Sequence, residues 1–311
     1  YGFPKTAYSH LDAIPKRIKL ENELPTLIDE TRENVHGEEE PYLIFNNVGA
    51  WPVQRTADRK QDAVYIEVWP PYERYASIAQ LIRDARTYAK DDKSIILAAY
   101  LKPFREGKRE KALPAAKLLM GSIVSNGATH LLTGENQTAL TQGYYSDYTK
   151  FSNSEAEAIR RYYDYMIRYE NLFFDPELQD VTMTHTGWDN YEYQCTSHKV
   201  SSYGEAGKIW MILREKDYRK CIYLLNLCGQ SEDYWNEGKE EPNIQKDIKF
   251  TVQVDTPVEK ICFSTPDGEN MDAIELSFTE RATKTGKFID FTVPSLNYWT
   301  TIWIDTRKET I

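Results

Sequence analysis

The chain has 311 residues, of which 41% are hydrophobic, and this length accommodates one large domain or two of ordinary size. Its formal net charge of −10 argues against a nucleic-acid partner, because phosphate binding needs a concentrated basic surface. No apolar run reaches the roughly 18 residues that a spanning helix needs. No signal peptide is visible either, but the chain starts at Tyr1 and not at Met, so this says nothing about export.

Short apolar strands alternate with long helical patterns up to about residue 175. The predicted strands are 42–49, 63–68, 94–101 and 128–135, and the helical patterns between and after them cover 72–91, 108–127 and 152–174. Asn126 and Gly127 are typical of a helix C-cap, and Ser154 is the predicted N-cap of the last helix. Four strands joined by crossover helices predict a parallel sheet whose faces are covered.

Polar or aromatic residues follow the end of each predicted strand. They are Asn46, Asn47 and Gly49; Glu67 and Trp69; Tyr100 and Lys102; and Gly134, Glu135 and Asn136. This is the pattern that the catalytic face of a (β/α)8 barrel requires. A closed barrel of this kind has eight strands, and four are present.

After about residue 178 the pattern changes to a succession of short strand candidates, beginning with "DVTMTHT" (180–186) and ending with "YWTTIWID" (298–305). The stretch "TPDGEN" (265–270) is a hairpin signal, and 232–247 is predicted to be a polar loop. We therefore predict an α/β region followed by an all-β region: residues 1–178 as half of a barrel and residues 179–311 as an antiparallel β-sandwich.

Cysteine usage and aromatic content add little that is specific. Cys195, Cys221, Cys228 and Cys262 lack the spacing of a zinc site, so buried free thiols are expected, with disulfides left open. No metal-ligand constellation is evident. Aromatic residues make up 13% of the chain. They are explained either by core packing or by stacking against sugar rings, whose C–H faces pack well on aromatic rings.

Glu67 lies in an apolar strand, between Ile66 and Val68 in "DAVYIEVWPPYERYASIAQLI" (62–82). One interpretation is a structural carboxylate, satisfied by an Arg or by helix amides. The other is a general acid/base, because apolar surroundings let a carboxyl group keep its proton to higher pH. Glycoside hydrolysis uses such a group together with a second carboxylate.

Four stretches carry a resemblance to a known family: "YIEVWPP", "IFNNVGAWP", "IILAAYLKPF" and "GATHLLTGENQTALTQGYYSDYTKFS". Together they resemble glycoside hydrolase family 66, the dextranases and cycloisomaltooligosaccharide glucanotransferases. The resemblance covers most of residues 40–175 by motif, and the remainder by architecture. It implies the second half of a (β/α)8 barrel followed by the C-terminal sandwich.

The resemblance implies that Glu67 is the general acid/base of a retaining enzyme. The nucleophilic aspartate of the family ends an earlier strand, so its expected position lies just upstream of Tyr1. Asp12, Asp29, Asp62 and Glu135 are not convincing replacements for it. No cofactor is implied, and a polysaccharide substrate implies an extracellular, periplasmic or cell-surface location.

Substrate contacts are expected from residues near the strand ends. They are Asn46, Asn47, Trp51, Trp69, Tyr100, Glu135, Tyr144 and Tyr145. His130, inside a predicted strand, is expected to be a core histidine.

The resulting hypothesis is a retaining endo-hydrolase of α-1,6-glucan (dextran) that is inactive without its N-terminal half. We expect a partner half-barrel chain or an intermolecular sheet contact, because half a barrel exposes two sheet edges. One alternative is a transglycosylase making cyclic isomaltooligosaccharides, disfavoured by the lack of an insert within residues 40–175. Another is a carbohydrate-binding protein without activity. A barrel enzyme for phosphorylated metabolites is disfavoured, since "LLTGENQTAL" has a single Gly.

Overall fold

A computed structural model describes residues 4–10, 13–37, 40–90, 93–143, 149–187 and 189–307. The chain forms a mixed α/β structure with several antiparallel sheets. In the described part, no helix is both long and apolar enough to cross a membrane.

The first part of the chain is built on a small parallel sheet. An antiparallel pair, β1 (Thr6–Ser9) and β2 (Lys16–Lys19), and helix α1 (Leu20–Asn34) precede it. The sheet has the order β3 (Ile44–Val48), β4 (Ala63–Glu67), β5 (Ser94–Ala98) and β6 (Thr129–His130), and its strands pair in parallel throughout. The four predicted strands and their parallel arrangement are thus present. The predicted strand 128–135, however, contributes only Thr129 and His130 to the parallel sheet.

Helices cover this sheet, and short strands follow it. The helices are α2 (Val53–Thr56), α3 (Tyr75–Ala89), α4 (Ala112–Ser125), α5 (Asn153–Arg168) and α6 (Glu170–Phe173), with 3-10 turns at Lys102–Phe104 and Arg109–Lys111. A three-stranded sheet of β7 (Thr133–Gly134), β8 (Thr138–Ala139) and β9 (Thr149–Lys150) lies between β6 and α5.

The N-cap of α5 is Ser152. The sequence analysis predicted Ser154, and that prediction is wrong. The Ser152 hydroxyl accepts a hydrogen bond from the Glu155 amide, and the Glu155 carboxylate accepts one from the Ser152 amide. Both serines have a glutamate three residues later, but Arg109 binds the carboxylate of Glu155 at 2.7 and 2.8 Å. That tertiary contact explains why the helix begins where it does.

The remainder of the chain forms two antiparallel sheets. Their strands are β10 (Gln179–Asp180), β11 (Tyr193–Cys195), β12 (Val200–Ser201), β13 (Ile209–Lys216), β14 (Arg219–Asn226), β15 (Gln245–Val254), β16 (Val258–Ser264), β17 (Ile274–Leu276), β18 (Phe278–Thr283), β19 (Gly286–Leu296) and β20 (Trp299–Thr306). The larger sheet has the order β10-β13-β14-β20-β16-β17 with β12 beside β13, and the smaller has the order β11-β15-β19-β18. The stretch 180–186, predicted as a strand, is mostly turn, since only Asp180 of it lies in a strand.

The larger sheet is buried on both faces. On β14, Ile222 and Leu224 pack against the smaller sheet, whereas Tyr223 and Leu225 pack in the core formed with the helices of the first part. Strand side chains alternate between faces, so a strand covered on both sides reads as a continuous apolar run. The central position of β14 therefore explains the nearly continuous apolar run "KCIYLLNL" (220–227).

Helix α4 lies close against the second face of the larger sheet. A Cβ atom on Gly121 would lie 2.7 Å from Leu225 and 3.0 Å from the ring of Trp299. The absence of a side chain at residue 121 is therefore what allows the helix to approach the sheet. All four cysteines are free, with Cys221 and Cys262 buried.

Candidate active site

The carboxyl ends of β3, β4 and β5 meet at one edge of the parallel sheet. Glu67 is the last residue of β4 and pairs in register with Val48 of β3 and Ala98 of β5. Two backbone hydrogen bonds mark the ends of these strands. The Gly49 amide donates to the Glu67 carbonyl, and the Val68 amide donates to the Ala98 carbonyl. Side chains at and just beyond these three strand ends therefore surround Glu67.

Three side chains donate hydrogen bonds to the carboxylate of Glu67. Asn46 Nδ2 and the Tyr100 hydroxyl each donate to Oε1 over 3.0 Å, and Trp69 Nε1 donates to Oε2 over 3.0 Å. A carboxylate offers about four acceptor positions. Two donors occupy Oε1, so among the described residues the remaining acceptor position belongs to Oε2.

These surroundings differ from the apolar pocket that the strand sequence suggested. Ile66 and Val68 are buried on the opposite face of the strand, and the Glu67 side chain is half-buried among polar donors. Within the described part of the chain, its partners are neither an Arg nor helix amides. The three hydrogen bonds fix the orientation of the carboxylate, and with it the direction of the remaining acceptor position on Oε2.

Tyr100 and Trp69 form an aromatic wall beside the carboxylate. Their ring centroids are 5.8 Å apart at an angle of 55°. Burial raises the pKa of Tyr100 well above its usual value, and nearby Tyr65 and Glu67 add to this effect. The hydroxyl of Tyr100 therefore stays protonated and acts as a donor. A Cβ atom on Gly143 would lie 3.2 Å from Trp69 and 3.6 Å from Tyr100.

The two asparagines at the end of β3 have different surroundings. Asn46 points to Glu67, whereas Asn47 is fully buried. The amide of Asn47 donates to the Tyr65 carbonyl over 2.9 Å and accepts from the Thr56 hydroxyl over 2.6 Å. Asn47 thus stabilises the turn after β3 and does not belong to the surface of the site.

The other predicted residues are dispersed. Trp51 is half-buried in the loop after β3, with Lys5 Nζ 5.9 Å from its ring centroid. Glu135 is exposed in the turn between β7 and β8, where its carbonyl accepts from the Thr138 hydroxyl. Tyr144 and Tyr145 lie outside the described residues. Of the candidates that the structure describes, only Asn46, Trp69 and Tyr100 are in contact with Glu67.

His130 is enclosed in the fold and does not face the strand-end cluster. It is 1% exposed, and its Nε2 atom lies 3.0 Å from the Ala99 carbonyl, while Nδ1 has no partner. Burial lowers the pKa of His130 to about 4. This is the core histidine that the sequence predicted. Among the described residues, no group of three or more His, Cys, Asp or Glu side chains is arranged to hold a metal ion.

A loop from the second part of the chain, residues 231–240, reaches this edge of the parallel sheet; we call it the sandwich loop. Trp235 is buried, its amide binds the Glu73 carbonyl over 3.1 Å, and its indole donates to the Tyr72 carbonyl. The Lys102 amide donates to Asn236 Oδ1 over 2.9 Å. The sequence predicted only a polar loop here, although the adjacent Tyr234 and Trp235 were a signal that part of it is buried.

A buried lysine holds the sandwich loop together. Lys239 is 1% exposed, and its ammonium group donates to the Glu232 carboxylate over 2.7 Å and to the backbone carbonyls of Tyr234 and Glu237. Burial lowers the pKa of Lys239, and Glu232 partly opposes this. The charge is thus enclosed and satisfied within the loop.

A pocket of about 220 Å³ lies between the strand ends and the sandwich loop. Its lining includes Trp69, Tyr72, Tyr100, Lys102, Tyr234 and Asn236. Two of these, Trp69 and Tyr100, also hydrogen-bond to Glu67. The pocket is therefore directly adjacent to the carboxylate.

A larger groove, of about 550 Å³, lies on the sandwich between the ends of β13 and β14. Its lysines are engaged in ion pairs, Lys216 with Asp175 and Lys220 with Glu215. It has no carboxylate held by several neutral donors. The arrangement around Glu67 is the more suitable one for acid/base chemistry.

Comparison with known proteins gives a consistent result. The family model for glycosyl hydrolase family 66 matches residues 4–303. Two cycloisomaltooligosaccharide glucanotransferases from Niallia circulans are similar, at 28% identity over 193 residues and 26% over 191 residues. These matches cover 61% and 60% of this chain. In each case the matched stretch spans 19% of the relative.

A solved structure shares the fold. It is a cycloisomaltooligosaccharide glucanotransferase from Paenibacillus sp. complexed with cycloisomaltoheptaose, with a TM-score of 0.82 and 14% sequence identity. The alignment covers 93% of this chain and 59% of that one. The chain thus corresponds in fold to little more than half of that structure.

Proposed function

The chain belongs to glycosyl hydrolase family 66, and on that premise we propose that it carries the general acid/base of a retaining enzyme acting on α-1,6-glucan. The observation that supports this best is the carboxylate of Glu67, held by three neutral donors at the carboxyl edge of a parallel sheet. Catalytic groups of barrel enzymes lie at this edge.

In the proposed reaction, protonated Glu67 gives its proton to the glycosidic oxygen as the bond to the anomeric carbon breaks. A nucleophilic carboxylate forms a glycosyl ester at that carbon. The deprotonated Glu67 then takes a proton from water, whose oxygen attacks the ester and releases the sugar. We assign the transferred proton to Oε2, because Asn46 and Tyr100 already donate to Oε1.

Asn46, Trp69 and Tyr100 have positioning roles in this scheme. Each comes from the end of a different strand, so the parallel register sets their distances to the carboxylate. Holding the proton donor in one orientation lowers the cost of reaching the reacting geometry. We retain Trp51 and Glu135 as proposed sugar contacts farther along the cleft.

The nucleophilic carboxylate is proposed to come from outside this sequence, on strands that extend the sheet beyond β3. Residues 1–178 would then be the second half of a (β/α)8 barrel and residues 179–311 its C-terminal sandwich. Ile44 of β3 is 47% exposed, in agreement with such an addition. A polysaccharide substrate further suggests an extracellular or cell-surface location.

The test combines binding with cleavage. Titration calorimetry measures isomaltooligosaccharide binding to this chain, and a reducing-sugar assay on dextran uses this chain together with the preceding barrel half. We expect cleavage that is lost in Glu67→Gln, while sugar binding and the melting temperature are kept. Cleavage that survives Glu67→Gln would refute the assignment. Binding with no cleavage by the assembled protein would favour a carbohydrate-binding role.

Transglycosylation is the second candidate, and the relatives support it, since both are glucanotransferases. In that case a sugar hydroxyl replaces water in the second step, and cyclic isomaltooligosaccharides accumulate. Mass spectrometry of the dextran products separates the two reactions, because a cyclic product is lighter by one water than the linear product of equal length.

A further inference from the structure

We propose that the pocket between the strand ends and the sandwich loop binds the sugar unit on the leaving-group side of the scissile bond. This inference rests on the proposed function of Glu67. It assigns part of the substrate site to the sandwich, through Tyr234 and Asn236.

The position of the pocket supports this. Trp69 and Tyr100, which are hydrogen-bonded to Glu67, line the pocket together with Tyr234 and Asn236 of the sandwich loop. A sugar in the pocket would therefore contact Trp69 and Tyr100, the two lining residues that hydrogen-bond to the carboxylate. The glycosidic oxygen that receives the proton must lie at the same carboxylate.

The sheet order indicates which side of the bond the pocket serves. β3 lies on one side of β4 and β5 on the other, and the pocket lies on the β5 side with Tyr100. The nucleophile is proposed to come from strands beyond β3. The sugar that is attacked must lie between the nucleophile and Glu67, so the departing part of the glucan extends towards β5.

The chemistry of the lining suits a neutral polyhydroxylated ligand. The Lys102 ammonium group in the lining binds the Glu237 carboxylate at 2.5 Å, and Arg74 beside the pocket binds Asp233, so these cations are neutralised. Glu73 adds a carboxylate to the lining, which disfavours an anionic ligand. Arg74 also lies 4.4 Å from the ring centroid of Tyr234, yet that tyrosine is 37% exposed. Aromatic surface combined with amide groups is a usual setting for sugar rings.

Asn236 supplies the hydrogen-bonding group. Its Oδ1 accepts from the Lys102 amide, and among the described residues nothing accepts a hydrogen bond from its Nδ2. The pocket is smaller than the roughly 300–1,000 Å³ of pockets for drug-sized ligands. It is therefore suited to one sugar ring.

The first test measures isomaltotriose binding by calorimetry. We expect Tyr234→Ala and Asn236→Ala to weaken binding by roughly 3- to 10-fold, the range of one aromatic contact or hydrogen bond. Tyr234→Phe keeps the ring and should bind like the wild type. Tyr191→Ala is the matched control, because Tyr191 is 42% exposed but contacts Phe288 of the smaller sheet. Melting temperatures identify any variant that fails to fold.

The second test uses the enzyme assembled with its barrel half and compares dextran with isomaltosyl fluoride. Fluoride leaves without filling the pocket, so Tyr234→Ala should lower kcat/KM for dextran and leave that for the fluoride unchanged. Equal loss with both substrates would overturn the leaving-group assignment. If the wild type binds isomaltotriose and both alanine variants bind equally well, the inference fails and the proposed function stands. If the wild type neither binds nor cleaves glucan, both fail.

Discussion

Tyr100 donates its hydroxyl hydrogen to Oε1 of Glu67 over 3.0 Å, from the end of the strand next to the one that carries the carboxylate. The ring is 8% exposed, and burial raises the pKa of the phenol, so this donor does not titrate near neutral pH. The hydrogen bond from Tyr100 to Glu67 is therefore present throughout the pH range around neutrality.

In the protein assembled with its barrel half, Tyr100→Phe should lower kcat/KM for dextran by roughly 10- to 100-fold, the value of one hydrogen bond to a charged group. The buried ring remains, so the melting temperature should change little. The control is Tyr163→Phe, which loses a hydroxyl bound to the His130 carbonyl, remote from the carboxylate. Equal effects of the two substitutions on kcat/KM would contradict a positioning role.

Gly143→Ala should disturb the aromatic wall. Its new methyl group would lie 3.2 Å from Trp69, which must shift by a few tenths of an ångström. In the protein assembled with its barrel half, we expect a several-fold loss in kcat/KM for dextran without a loss of stability. In a double-mutant cycle with Trp69→Phe, the loss at residue 143 should shrink, because the larger ring is gone. Additive losses would show that Gly143 acts elsewhere.

Gly121→Ala should destabilise the protein by about 1–3 kcal/mol, the cost of overpacking a buried site. The sign is informative, because the same change in an exposed helix stabilises by roughly 1 kcal/mol. Urea unfolding of the two proteins measures the difference. Adding Leu225→Val should recover part of the lost stability, since a Leu225 methyl group is the nearest neighbour of the new methyl group. A more stable Gly121→Ala variant would refute the proposed close packing.

His130 should make the fold sensitive to acid. Its pKa is lowered to about 4 in the folded chain, against about 6.5 when unfolded, so the unfolded state binds the proton first. Stability is therefore complete above pH 6.5 and falls as the pH drops towards 4, by up to roughly 3 kcal/mol.

His130→Gln isolates this effect, because the amide offers a donor to the Ala99 carbonyl and does not titrate. Urea unfolding at pH 7.5 and pH 4.5 gives the free energy of unfolding for both proteins. The wild type should lose more stability between these values than the variant. Parallel losses would mean that His130 does not contribute.

Local patterns predicted the parallel strands and Glu67 at a strand end, because alternation and strand–helix spacing are short-range properties. They could not predict the donors around Glu67. Asn46 and Asn47 must face opposite sides of β3, but which one faces the carboxylate depends on the tertiary fold. Tyr100 meets Glu67 only through the pairing of β4 with β5, whereas Trp69 follows Glu67 by two residues and its indole reaches the carboxylate through the turn after β4.

The position of the sandwich loop was beyond local inference for a related reason. Asn236 binds the backbone of Lys102, 134 residues earlier in the chain. A contact at that separation leaves no periodic trace in the sequence. The same holds for the choice of Ser152 over Ser154, which depends on Arg109.

Because the larger sheet is buried on both faces, its two neighbouring layers are not independent when the chain is cleaved by a protease or truncated by design. Trp210, Tyr223, Trp299 and Trp303 belong to the core shared with the helices of the first part. We expect a single cleavage between Asp175 and Leu178 to leave two polypeptides that stay associated. A sandwich transplanted alone would expose this row of aromatic rings and aggregate, so exchange of C-terminal portions between relatives should succeed only when the facing helices are exchanged with them.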